Sequence, residues 1–414
     1  MSTSTAILSQ PSALSAATRA ALELVVSSGV GIASIHNGLL TAATIKALSQ
    51  ATLTILLPMF LGTSIIKTIT SYGLTKSSLV VPALAIAQSF LLYVLTTQII
   101  YPLCLSPDEQ ATDDARGTAV CASFGNGGVL PLIFCDSLFR HQQNGYLALS
   151  TGYVSMFLVG WSPFFWAFGR SILLGDDSDN ESKNNNSRQK HDVTTTTPNQ
   201  KNRILFLAKK MVPPPVMGVL IGMMVATVPL LRNLLVGGGD GETSPTASLR
   251  VIFDTAQNFG KAASPLSLLV LVSSLALGAG FGKKEPPLSP SGKNGGHQAA
   301  PATTTTISLF KRWAIVSFSR CFVSPALMLG LLKVASSDLL GNSIGRPLEQ
   351  PMLWFVCILE SCMPPAQNQV VMLQVSNKMQ QANEMAAFLF GVYATSMLPL
   401  TAIVSLALDR LGLM

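Results

Sequence analysis

The chain has 414 residues, of which 49% are apolar and only 11% are charged, and its formal net charge is +7. A soluble domain usually carries about 25% charged residues, so this composition excludes a water-soluble globular protein and indicates many membrane-spanning segments. The basic excess does not indicate nucleic-acid binding, because Lys and Arg gather in hydrophilic stretches between apolar segments rather than on one folded face.

Apolar segments long enough to cross the hydrocarbon core, which takes about 20 helical residues, recur along the whole chain. Five are predicted in the first half, at 19–36, 48–66, 78–103, 118–138 and 146–174. Five more are predicted in the second half, at 205–231, 249–280, 309–334, 352–375 and 385–408. The predicted fold is therefore an all-α integral membrane protein with ten transmembrane helices.

Two polar stretches divide these segments. The stretch at 175–204 contains runs of Asn and Thr and too few apolar residues to build a core, so we predict a disordered linker. It separates a first five-helix repeat at 1–174 from a second at 205–414, which contains a smaller polar linker at 282–306. Most of the basic excess falls in the two linkers, which predicts that both face the cytoplasm and that the termini face the lumen or exterior.

The odd number of spans in each half has a geometric consequence. The second half enters the membrane from the opposite side, so two related halves would be inverted repeats, with the fourth and ninth spans at equivalent positions. Both of these spans are interrupted, by the sequence SFGNGGVLP at 123–131 and by ESCMPPAQNQ at 360–369. Glycine loosens a helix and proline removes a hydrogen-bond donor.

A broken backbone is tolerated at membrane depth only where protein or a watery cavity satisfies its polar groups. Two broken helices at equivalent positions of inverted halves therefore predict the central site of a transporter. Taken alone, each break has a second interpretation as an ordinary kink, since Gly and Pro are frequent in transmembrane helices.

The same motifs resemble those of a known family. The stretch 123–131 is similar to the fourth-helix motif of the PIN and PIN-LIKES auxin efflux carriers, and MPPAQN at 363–368 is similar to their ninth-helix motif. Supporting matches are LLPMF at 56–60 and MVPPPVMG at 211–218. The similarity covers most of the ten-span body, and the short central linker resembles the layout of PIN-LIKES proteins.

This resemblance implies a ten-helix fold related to sodium–bile-acid symporters, with broken fourth and ninth helices that cross and an elevator-like movement. It also implies a weak organic acid as cargo, which is auxin in plants. The PIN-LIKES layout favours the endoplasmic reticulum membrane, with the plasma membrane as the other location. Glu360 and the polar linkers differ from the pattern of land-plant members.

The residues at the breaks suit an organic anion. A half-helix N-terminus favours an anion, amide side chains both donate and accept hydrogen bonds, and glycines let a ligand approach the backbone. The predicted substrate-binding residues are Asn126, Gly127, Gly128, Gln367 and Asn368. By the residue match, Pro131, Pro364 and Pro365 mark the crossing. The alternative for the amides is that they only cap freed backbone carbonyls.

Ionisable residues inside apolar segments are candidates for function. Glu360, just before the second break, could take up a proton or neighbour a cation site, or it could pair with a basic group at an aqueous mouth. Arg320 and Asp136 are expected near the membrane interfaces, without a chemical role.

No motif of an enzyme is recognisable. The sequence contains no Walker loop, Ser–His–acid set or HExxH, and its six cysteines lack metal-like spacing, so we predict no catalytic residues, no cofactor and no metal.

The prediction from sequence is a secondary transporter that moves a small amphipathic organic acid anion across a lipid bilayer by alternating access. One alternative is a sodium-coupled symporter of the bile-acid type, which would need an oxygen cage for sodium. Another is a non-transporting, ligand-binding membrane receptor. Association into a homodimer is left open.

Overall fold

The computed structural model describes residues 12–73, 76–140, 142, 144–175, 214–237, 249–278, 280, 307–337, 344–376 and 378–414. Within these residues the regular structure is helical, and the only β-type contact is an isolated bridge. The predicted linkers at 175–204 and 282–306 lie outside the described residues except for Gly175, as does the predicted start of the sixth span at 205–213.

The first half contains ten helices in the described residues. They are α1 (Ala13–His36), α2 (Ala42–Ala51), α3 (Leu57–Tyr72), α4 (Lys76–Leu95), α5 (Tyr101–Cys104), α6 (Pro107–Gln110), α7 (Asp113–Ser123), α8 (Val129–Phe139), α9 (Tyr146–Phe164) and α10 (Arg170–Leu174). Single π-helical turns join α2 to α3, α4 to α5 and α9 to α10, so each of these pairs forms one continuous span.

The described part of the second half contains nine helices. They are α11 (Pro214–Thr227), α12 (Pro229–Leu235), α13 (Arg250–Lys261), α14 (Ala263–Gly278), α15 (Leu309–Phe318), α16 (Ser324–Ala335), α17 (Pro351–Cys362), α18 (Asn368–Val375) and α19 (Met379–Arg410). A π-helical turn at Ser319–Val323 joins α15 to α16.

Seven helical spans in the described residues are long and apolar enough to cross a membrane, or eight if the bent pair α11 and α12 is one span. The seven are Ala13–His36, Ala42–Ser71, Leu79–Cys104, Tyr146–Leu174, Arg250–Gly278, Leu309–Ala335 and Gln380–Arg410. The protein is therefore an all-α, multi-pass integral membrane protein. The broken pairs α7/α8 and α17/α18 are compatible with ten spans and inverted repeats, which stay predictions.

The sixth span is bent. It is predicted at 205–231, and within this range α11 ends at Thr227 and α12 turns away by 100°. Val228 is extended, with φ −89° and ψ 110°, and Pro229 opens α12. Proline disfavours a helical conformation in the residue before it and fits the first position of a new helix, which explains the bend.

Small residues set how closely the spans pack. The backbone of α11 lies against that of α3, because a Cβ added to Gly62 would be 2.8 Å from the carbonyl oxygen of Gly218. Close approach through glycines is the usual way in which membrane helices gain contact area. The helices α1, α8, α14 and α19 also pack on one another, and they line a cavity described below.

Candidate functional site

The two helix breaks meet at one point. The segments Phe124–Gly128 and Met363–Gln367 run antiparallel, with an isolated bridge between Gly125 and Pro365. The Asn126 amide N–H donates to the Pro364 carbonyl at 2.7 Å, and the Ala366 N–H donates to the Phe124 carbonyl at 3.0 Å. The fourth and ninth spans therefore cross, and each break satisfies backbone groups of the other.

The prolines occupy different places at this crossing. Pro364 and Pro365 lie in the bridged segment, where they supply carbonyl acceptors and need no amide donor. Pro131 lies outside the bridge, as the third residue of α8. A helix leaves its first N–H groups unpaired in any case, so proline there is compatible with a new helix start.

Arg320 lies at the crossing and is 2% exposed, so the expectation that it lies near an interface is wrong. Its Nε donates to the Met363 carbonyl at 2.8 Å and its Nη2 to the Glu360 carbonyl at 3.4 Å. Ser324 donates to the Ser361 carbonyl at 2.7 Å. A cation here satisfies carbonyls at the end of α17 and interacts favourably with the negative end of its dipole.

Gly125 is the position against which the Arg320 side chain packs. A Cβ on Gly125 would overlap Arg320 Nη2 and lie 2.7 Å from Arg320 Cζ. Glycine at this position leaves the space that the side chain from another span occupies. The sequence signal for Arg320 was present, since an arginine inside an apolar segment is a functional candidate by default.

Asn126 is held in place by a residue that the sequence analysis did not single out. The Asn126 Nδ2 donates to the Tyr393 hydroxyl at 2.9 Å, and that hydroxyl donates to the Pro365 carbonyl at 2.8 Å. Asn126 is 5% exposed and Tyr393 is 9% exposed. Tyr393 therefore connects α19 to both breaks, and no local pattern distinguishes it from other aromatic residues in the spans.

The other predicted binding residues lie around the same point. Gly127 faces the Trp161 ring, to which an added Cβ would be 3.1 Å distant, and Gly128 precedes the first residue of α8. Gln367 and Asn368 are half-buried at the start of α18. The structure thus brings Asn126, Gly127, Gly128, Gln367 and Asn368 together at two half-helix N-termini; their binding role stays a prediction.

Two glutamines at the start of α18 have unused hydrogen-bonding capacity. The Gln367 Oε1 is a buried acceptor, and the Gln369 Nε2 a buried donor, without a partner among the described residues. Cys121 donates to the Gln369 Oε1 at 2.9 Å. Buried polar atoms are usually paired, so these atoms are candidates for contact with an incoming ligand.

Glu360 does not lie at an aqueous mouth. The side chain is 2% exposed, and neither carboxyl oxygen has a hydrogen-bond partner among the described residues. Its backbone carbonyl, rather than its carboxyl, receives Arg320. The expected pairing with a basic group is therefore not observed.

An apolar cavity of about 450 Å³ adjoins the crossing. It lies between α1, α8, α14 and α19, and Leu130 in the first turn of α8 and Tyr393 form the part nearest the breaks. The remaining lining residues are Val25, Ser28, Gly29, Ile32, Leu268, Leu271, Val272, Leu275, Phe390, Ala394 and Met397. Its size and apolar walls suit a small ligand with a hydrophobic body.

A second cavity, of about 590 Å³, lies where α7 begins, and it is far more polar. Its wall includes the ion pair between Arg312 and Asp114, at 2.6 Å, and the residues Gly117 and Met385. Behind Met385 lies Cys121, with 3.6 Å between the two sulfur atoms. One cavity is therefore lined by the start of α7, and the other adjoins the start of α8.

Comparison with protein families matches residues 16–404 to the family described as membrane transport protein, which is the family of the auxin efflux carriers. The chain belongs to this family. The match contains the whole crossing and the residues that line both cavities. A search of curated proteins found no significant match.

Membership of this transporter family agrees with the multi-pass helical fold and identifies the protein as a membrane transport protein. It also fits the prediction that the chain is not an enzyme. Both broken-helix motifs lie within the matched region, and the role of the crossing in transport stays a prediction.

Proposed function

We propose that the protein is a secondary transporter that moves a small, amphipathic organic acid anion by alternating access. The observation that carries this proposal is the crossing itself, where two half-helix N-termini lie beside an apolar cavity of about 450 Å³. A carboxylate suits the N–H groups of the half-helices, and an aromatic or aliphatic body suits the cavity.

The hydrogen-bonding groups at the crossing support an anion with one charged end. Asn126 and Gln369 supply side-chain amide donors, and the backbone N–H groups at Gly127 and Gly128 lie at the start of α8. Arg320 adds a positive charge, although its own donors are already bound to backbone carbonyls. The cargo that best combines these features is a weak acid such as auxin or a similar aromatic monocarboxylate.

The two cavities support alternating access. One is lined by the start of α7 and the other by the first turn of α8, so a rearrangement of the spans around the crossing could open the site to one side at a time. In proteins built from inverted repeats, such a movement exchanges the conformations of the two halves. The short central linker is like that of PIN-LIKES proteins, and we propose the endoplasmic reticulum as the membrane, with the plasma membrane as the alternative.

Sodium coupling is the main alternative within transport. A sodium site would use oxygen ligands, and the backbone carbonyls at the ends of α7 and α17 are the obvious source. Arg320 already binds the carbonyls of Met363 and Glu360, which argues against a cation at the end of α17. The second alternative is a receptor that binds the same anion without moving it. Only a measurement of solute flux across a membrane distinguishes such a receptor from a carrier.

Equilibrium binding of indole-3-acetate to the purified full chain tests the site. We expect Asn126→Ala and Asn368→Ala each to weaken binding about tenfold or more, because each removes a polar contact to a charged ligand. Asn37→Ala, at an exposed residue that follows α1, is the matched control and should bind like the wild type. Unchanged affinity in both site variants would contradict the site assignment, and no binding of any organic acid would contradict the proposal.

A further inference from the structure

Glu360 differs from every other acidic side chain that the structure describes. It is the only one of them that is buried, at 2% exposure, and both of its carboxyl oxygens lack a hydrogen-bond partner among the described residues. The other buried charges in the described part of the chain are Arg312 and Arg320. Among these residues Arg312 is paired with Asp114 at 2.6 Å, whereas Arg320 makes no ion pair within 4 Å.

The groups around the Glu360 carboxyl offer little compensation for a negative charge. Arg320 is the charged neighbour, but its donors are directed to backbone carbonyls and to Ser324. The thiols of Cys135 from α8 and of Cys357 and Cys362 from α17 are close enough to interact with it electrostatically.

The remaining helices that pack on α17 add no charge near this carboxyl. They are α9, α16 and α19, and among their described residues only Tyr393 of α19 is a titratable group close to Arg320. The π-helical turn at Ser319–Val323 also packs on α17 and adds the thiol of Cys321 beside Arg320. A carboxylate without partners is far more costly to bury than a neutral carboxylic acid. The geometry therefore favours a Glu360 that holds a proton while the site is closed to water.

We propose that Glu360 is a proton-binding site, and that its charge is linked through Arg320 to anion binding at the crossing. With the proton on Glu360, the charge of Arg320 is uncompensated and attracts a carboxylate. When the proton leaves for water, the glutamate carboxylate offsets Arg320 and the anion is held less tightly. The linkage rests on the proposed function for its anion, and it makes the cargo and a proton travel together.

The thermodynamic linkage between proton binding and anion binding determines how anion affinity changes with pH and by how much. Because coupling is reciprocal, a proton that strengthens anion binding is itself bound more tightly when the anion is present. The proposed step is the binding or release of one proton by the Glu360 carboxyl group, and it involves no oxidation or reduction. Anion affinity should therefore fall as pH rises, by no more than tenfold per pH unit and by about 5- to 150-fold in all.

The first test needs no substrate. Infrared spectroscopy of the wild type near neutral pH should contain the C=O stretching band of a buried, protonated carboxylic acid. Glu360→Gln should remove this band, and Asp409→Asn, at an exposed acid near the end of α19, should leave it intact. If the wild type has no such band, or if Glu360→Gln retains it, the proton site is ruled out.

The second test measures linkage. The affinity for indole-3-acetate should fall with rising pH in the wild type and in Asp409→Asn, and should be independent of pH in Glu360→Gln, which imitates the protonated state. Glu360→Met, of similar volume and without charge, is a second neutral variant and should also bind independently of pH. The same pH dependence in wild type and both neutral variants would overturn the linkage.

The two readouts separate the two proposals. A protonated-carboxyl band in a protein that binds no organic acid would contradict the proposed function and leave the proton site in place. Anion binding by a protein without that band would contradict the proton site and leave the proposed function in place.

Discussion

At the scale of single residues, the crossing is decided by the contact between Gly125 and Arg320. The arginine reaches the end of α17 from the π-helical turn at Ser319–Val323, and it occupies the space that a side chain at 125 would need. The breaks themselves could be predicted from sequence, because the effects of Gly125 and Pro364 on a helix are local. Arg320 and Tyr393 could not be placed, because their burial depends on how distant spans pack.

Gly125→Ala tests this contact. The added methyl group would overlap Arg320 Nη2, so the guanidinium must leave its carbonyl partners. We expect a loss of about 2 kcal/mol or more in stability, from overpacking and from a buried cation with fewer hydrogen bonds. Thermal unfolding of the purified protein in detergent measures it.

The control for this variant is Gly391→Ala on α19, where an added Cβ would meet nothing within 4 Å. It should unfold at nearly the wild-type temperature. Equal unfolding temperatures for Gly125→Ala and the wild type would mean that Arg320 is not packed against this residue.

At the scale of helices, the sequence located most spans and two of their breaks but not the bend between α11 and α12. Hydropathy depends on composition, so it found the apolar segments, whereas the 100° turn after Thr227 depends on the conformation of a single residue before Pro229.

Hydropathy also does not predict which helices pack together. Pro58 and Gly218, which belong to two of the stretches that resemble family motifs, bring the backbones of α3 and α11 into contact.

Gly218→Ala tests the packing of α3 on α11. A Cβ at this position would lie 2.6 Å from the Pro58 carbonyl carbon, and backbone cannot move aside as a flexible side chain can. We expect a loss of about 1–3 kcal/mol, the usual cost of overpacking, seen as a lower unfolding temperature in detergent.

Gly330→Ala in α16 is the matched control, because an added Cβ there meets nothing within 4 Å. If Gly218→Ala is as stable as this control, the close contact between the two helices is not present in the membrane protein.

At the scale of the whole molecule, the open question is how the chain is oriented and what the crossing moves. The distribution of Lys and Arg predicts that the linker at 175–204 faces the cytoplasm. This linker contains two glycosylation sequons, Asn180-Glu181-Ser182 and Asn185-Asn186-Ser187, which would be modified only on the luminal side. The orientation can therefore be tested on the natural sequence.

We expect neither natural sequon to carry a glycan when the chain is expressed in a eukaryotic cell. As a positive control, Gly241→Asn creates a new sequon together with Glu242 and Thr243, in the loop after the sixth span, which is predicted to face the lumen. The measurement is the change in electrophoretic mobility on treatment with an endoglycosidase. A glycan on Asn180 or Asn185 would reverse the predicted topology.

The central claim is that the crossing carries an organic acid anion across the bilayer. Uptake of radiolabelled indole-3-acetate and of other weak acids into liposomes containing the purified protein measures this directly. We predict uptake by the wild type without sodium and by Asn37→Ala, and strongly reduced uptake by Asn126→Ala. Binding without any uptake would contradict the claim and favour a receptor, and uptake that requires sodium would favour the sodium-coupled symporter.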